Sequence, residues 1–100
     1  MARRGSFTVD AESVQGNPGA EVTFRALKVR EVNEYRNSTQ TDEDLLQAHV
    51  VSWSGILDDD GHELPSPEDE PGALGELYVH EQFALARLLF AGPDGLSVKN

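Results

Sequence analysis

The sequence predicts a small α+β fold: a short N-terminal β-hairpin packed on a small bundle of about three helices. Three observations carry this. Residues 6–10 and 20–28 alternate apolar and polar side chains around a Gly/Pro-rich turn. From Val29 onward the apolar spacing changes to three and four. A chain of 100 residues with 38% apolar content supports one core and no buried catalytic chamber. Residues 1–93 are therefore expected to form one domain, and 94–100 a flexible C-terminal tail.

The elements are taken in chain order. Ser6-Phe7-Thr8-Val9-Asp10 reads as a strand. Gln15-Gly16-Asn17-Pro18-Gly19 is a turn cluster. In the next strand Val22, Phe24 and Ala26 fall on one face, and Thr23, Arg25 and Leu27 on the other. A lone hairpin is marginal in water, so it must pack on the helices C-terminal to it. Val29, Val32 and Tyr35 then repeat helically, until Asn37-Ser38-Thr39 interrupts them. Thr41 is an expected N-cap, with Asp44 completing a capping-box variant and Asp42 and Glu43 at the positive end of the dipole. Apolar residues at i, i+4 and i+7 from Leu46 predict a helix over 42–53, ended by Gly55. Asp58-Asp59-Asp60-Gly61 is a turn. Residues 62–72, with three prolines and four acids, predict an extended exposed loop with room for one helical turn at Ser66-Pro67-Glu68-Asp69. The last helix is expected from Ala73 to Ala91, with Gly75 a weak point near its start and Gly92-Pro93 as the stop.

Charge narrows the function classes. Eight Lys and Arg face 18 Asp and Glu, a net −10, which argues against direct binding to nucleic-acid phosphates. The imbalance is local: 12 acids and no Lys or Arg fall between residues 42 and 81. The molecule should be electrically two-ended, which serves either solubility or the steering of a partner. No apolar stretch reaches transmembrane length, so no membrane partner is expected. With no Cys, disulfide scaffolds and thiolate zinc sites are excluded. Met1-Ala2-Arg3-Arg4-Gly5 has no apolar run behind it, so no secretory signal is expected.

Catalytic and metal chemistry find little support. An EF-hand loop with Gly61 as its sixth residue would put Ile56 first and Pro67 twelfth, and neither can serve. His49 sits near an apolar helical face and reads as a core residue. His62 and His80 stand beside Asp60 and Glu81 without ligand spacing. Ser52 and Ser54 lack a nucleophile-elbow pattern, and the acids look uniformly exposed. No enzyme activity, metal or cofactor is expected. The apolar residues say more. Trp53 is either a core anchor under the acidic turn or a binding hot spot. The stripe Leu77, Tyr78, Phe83, Leu85, Leu88, Leu89 and Phe90 is wider than one neighbour can bury. Trp53, Leu77, Tyr78, Phe83, Leu85, Leu88 and Leu89 are thus the candidate partner-binding residues, part of them core and part a groove for an apolar helix.

Three stretches carry a family resemblance: Val50-Val51-Ser52-Trp53-Ser54-Gly55, then Leu57-Asp58-Asp59-Asp60-Gly61, then Leu64-Pro65-Ser66-Pro67. With Phe24-Arg25-Ala26-Leu27 before a Glu-rich helix, and a closing helix holding Glu81, the order resembles the tail assembly chaperones of long-tailed bacteriophages over about 70 residues. The resemblance implies a non-enzymatic protein of the host cytoplasm. It would bind the helical tape measure protein, help recruit the tail tube protein, and leave before the virion is complete. Self-association fits such a role, and Lys99-Asn100 could mark a frameshift point. The acidic run suggests an alternative, a nucleic-acid mimic that occupies a host DNA-binding protein, weakened because acids such as Asp58, Asp59, Asp60, Glu68, Asp69 and Glu70 lie in loops; a hairpin plus helices would also suit a structural tail or head-completion protein of the virion.

Overall fold

The computed structural model describes residues 5–93; the expected tail and the Lys99-Asn100 step lie outside them. The order is β1 (Ser6–Asp10), α1 (Glu12–Gln15), β2 (Glu21–Arg25), α2 (Val29–Arg36), α3 (Asp42–His49), β3 (Val50–Ser54), a 3-10 helix (Pro71–Glu76) and α4 (Val79–Ala91). The α+β class stands. The sheet, however, has three antiparallel strands in the order β1-β2-β3, so the expected hairpin is two thirds of it.

The sheet buries one face by alternation. Phe7 pairs with Phe24 and Val9 with Val22, all buried, while Thr8 pairs with Thr23 on the wet face. The Phe7 and Phe24 rings meet at 5.5 Å, and the Thr8 and Thr23 hydroxyls at 2.7 Å. Val22 also faces Trp53, and Phe24 faces Val50. Helix α3 lies against β2, α4 and the 3-10 helix, and α1 against α4. Phe24, Leu46, Ile56, Leu74, Leu85 and Leu89 form the driest part of the core thus enclosed.

Four boundaries differ from those expected, the first being that β2 ends at Arg25, so Ala26 and Leu27 lie beyond the strand expected over 20–28. The helix expected over 42–53 stops at His49, and Val50–Ser54 is strand β3. The register between β2 and β3 slips at Thr23/Phe24, so Val51 is an extra residue and both Val50 and Trp53 point inward. A bulge thereby puts a three-residue spacing into a strand, and that spacing imitates a helix. The element expected over 73–91 is two. Pro71 starts the 3-10 helix, Leu77 and Tyr78 adopt extended backbone, and α4 restarts at Val79. Glu81 stabilises the restart by accepting the Tyr78 N–H at 2.8 Å. The connection between β1 and β2 holds short α1 where the turn residues alone suggest only a turn. Asp10 accepts the Glu12 N–H, and Gly16 closes α1 at φ 74°.

Other expectations hold. Thr41 caps α3, exchanging hydrogen bonds with Asp44 in both directions. Ser66–Glu70 makes the expected helical turn, its carbonyl at Ser66 accepting from Asp69 and Glu70. The 62–72 loop is not wholly exposed, because Leu64 and Pro67 are buried.

Candidate docking face

Residues 53–67 fold as one small unit. The Trp53 indole N–H donates to the Leu64 carbonyl at 3.0 Å, and its backbone N–H to the Ser66 hydroxyl at 3.1 Å. Leu64 N–H returns to Ile56, Leu57 bridges to Glu63, and Asp58 N–H donates to His62. The Asp58 carboxylate closes the acidic turn by accepting from the N–H groups of Asp60 and His62, both at 2.9 Å. From across the chain, the Gln15 amide pairs with both backbone groups of Leu57, and Asn17 donates to the Gly55 carbonyl. The side chains of the early turn cluster therefore clamp a hairpin some 40 residues on.

Trp53 is buried in this unit, so it is the anchor and not an exposed hot spot. Leu85, Leu88 and Leu89 are also sealed in the core and offer a partner nothing while the chain is folded. Leu77 is half-buried against the core. Of the seven candidates, Tyr78 and Phe83 are exposed, at 56% and 53%. Val79 at 68% and Phe90 at 46% join them, and sequence reasoning did not place these two in the site. Phe83 and Phe90 do not extend the buried face of α4 but lie away from it. A signal was available: Val79, Phe83, Ala86 and Phe90 recur at +4, +3 and +4. Phe90 also meets the Tyr35 ring of α2 at 6.5 Å between centroids.

The N-terminal end of α4 is acidic. A cleft of about 280 Å³ is bordered there by Asp58, Asp59, Glu76, Tyr78 and Glu81. The Tyr78 hydroxyl donates to Asp59 at 2.7 Å, which raises its pKa above the ordinary phenol range. Its ring stacks on His80 at 5.9 Å. Asp58, Asp60 and His62 bring potential ligand atoms within 4.8 Å of one another, a grouping the sequence spacing did not suggest. His49 is a core residue, in keeping with its place on an apolar face: its Nδ1 bonds the Arg25 carbonyl at 2.9 Å, and Nε2 lies 3.9 Å from Glu31. No helix among the described residues is long and apolar enough to cross a membrane. Comparison with protein-family models, curated proteins and solved structures finds no match.

Proposed function

We propose that the chain is a tail assembly chaperone of a long-tailed bacteriophage, acting without catalysis in the host cytoplasm. It covers apolar helical stretches of the tape measure protein and aids recruitment of tail tube subunits. The observation that carries this reading is the set of exposed apolar residues Val79, Phe83 and, in part, Phe90 beside exposed Tyr78, on a helix whose Leu85, Leu88 and Leu89 are sealed. Large apolar side chains left exposed together on one face of a helix suit an interaction surface. A second support is that the Trp53, Asp-Gly and Leu-Pro-x-Pro stretches, which carry the resemblance, pack together as one hydrogen-bonded unit. The net charge of −10 suits a protein that must keep an aggregation-prone partner dispersed.

Co-expression with the tape measure protein of the same phage tests the proposal. The expected result is a soluble complex of the two, with the tape measure protein insoluble when expressed alone. If it stays insoluble and nothing co-purifies, the reading falls. Capture of a DNA-processing host enzyme would replace it with the mimic, and recovery of the chain from finished particles with a structural role.

A further inference from the structure

We infer that the outer edge of β1 pairs antiparallel with β1 of a second copy of the chain, an inference that stands apart from the chaperone reading. In the order β1-β2-β3 the first strand has a neighbour on one side only. The Ala26 N–H donates to the Gly5 carbonyl at 2.9 Å, and the Ala11 N–H to the Ala20 carbonyl at 2.8 Å. Bonded and unbonded pairs alternate along an antiparallel ladder, so between these ends Phe7 and Val9 turn their backbone groups toward β2. Ser6, Thr8 and Asp10 turn theirs outward, and no backbone group of the described residues meets them there. The Thr8–Thr23 hydroxyl contact at 2.7 Å agrees, since facing residues without shared backbone bonds bring their side chains closest. At the opposite edge of the sheet the Trp53 N–H is already taken by the Ser66 hydroxyl. Along β1, a hollow of about 480 Å³ is bordered by Gly5, Ser6, Phe7 and Thr8 alone.

An open row of N–H and C=O groups takes a strand, and β1 carries no Lys, no Pro and no bulge to deter one. A second β1 is complementary to the first. With a two-fold axis at Thr8, Thr8 faces its counterpart and Ser6 faces Asp10, so every outward residue of both strands is paired. No charge in the strand then faces a like charge. Phe7 falls beside Val9 on the inner face and Thr8 beside Thr8 on the wet face, so the alternation of the sheet runs on unbroken. Antiparallel pairing also sets the basic lead Arg3-Arg4 of one copy toward Asp10 and Glu12 of the other. The net charge of −10 opposes any dimer, but least at this edge. The first 25 residues balance Arg3, Arg4 and Arg25 against Asp10, Glu12 and Glu21, whereas 12 acids without a base lie between 42 and 81. A strand of 5 residues gives a ladder of only about 17 Å, so the dimer is a weak one.

Sedimentation velocity of the full chain from about 5 to 500 μM, at about 0.15 M salt to screen the distant acids, tests this. The expected result is a monomer at the low end and a dimer at the high end. Amide exchange over the same range gives the location: the Ser6, Thr8 and Asp10 N–H groups should gain protection with concentration, while Phe7 and Val9 are protected throughout. Thr8→Pro removes an outward donor, and Thr8→Lys sets like charges side by side at the two-fold axis; each should weaken the dimer at least about tenfold. Thr8→Val loses the bond to Thr23 but keeps the outward N–H, and should dimerise at least as well as the wild type. Val79→Ser with Phe83→Ser, on the exposed side of α4, should change nothing. A monomer at every concentration overturns the inference. So does a dimer that survives both Thr8→Pro and Thr8→Lys, or one lost on changing Val79 and Phe83. Protection of Ser6, Thr8 and Asp10 that appears only when another protein is added gives the edge to a different strand, and also overturns it.

Discussion

Gly55 shows how one residue governs the motif that carries the resemblance. Its φ of +76° is a conformation that L side chains rarely adopt, and a Cβ there would lie 2.9 Å from the Ala20 backbone. Gly55→Ala should destabilise the fold by about 2 kcal/mol or more, since left-handed strain and a backbone clash add. Urea unfolding of the variant against wild type measures this. From its position before the acidic turn Trp53 reads as either an anchor or a hot spot, and its bond to Leu64, which decides for the anchor, is not legible. That contact depends on a hairpin closing between them, and the residues that fasten the hairpin, Gln15 and Asn17, lie in what reads as a simple turn. Trp53→Ala should cost about 3–5 kcal/mol, and the sole Trp should emit at short wavelength until the protein unfolds.

Helices α3 and α4 show which element boundaries local chemistry can specify. The start of α3 is legible because Thr41 and Asp44 satisfy orphan N–H groups within one turn of chain. Thr41→Ala should lower stability by about 1 kcal/mol, read from the denaturation midpoint. Its end is not legible, because only pairing with β2 across a bulge turns Val50–Ser54 into strand. In α4 the large apolar residues occupy two faces, and sequence counts them as one broad stripe. Leu85→Asp places a carboxylate in the driest part of the core and should abolish folding, seen as loss of the cooperative thermal transition. Circular dichroism separates that outcome from the Val79 and Phe83 substitutions, which should leave the transition in place.

Across the whole molecule, both tyrosines are tied to carboxylates. The Tyr35 hydroxyl donates to Asp42, linking α2 to the start of α3, and Tyr78 donates to Asp59. Each hydrogen bond raises the phenol pKa, because ionisation would remove the donor and set two negative charges together. With the folded pKa above the unfolded one, this contribution is fully present below about pH 10 and is lost as pH climbs through the raised values. Stability should thus fall on the alkaline side, and Tyr35→Phe should flatten the decline. Absorbance titration of tyrosinate in native and denatured protein checks the order of ionisation, with the native phenols expected to titrate later. The chain already carries −10, so added phenolate charge acts in the same direction.

The sequence by itself determined the α+β class, the first two strands and their inward faces, the Thr41 cap, the acidic turn and the charge asymmetry. Each depends on neighbours within a few residues or on composition. Only the tertiary structure decided that Val50–Ser54 is a strand, that Trp53, Leu85, Leu88 and Leu89 are interior, and that Val79, Phe83 and Phe90 face water. Periodicity says which residues share a face, but not which face a distant segment will cover; β2 and the clamp from Gln15 and Asn17 make that choice from well away in the chain.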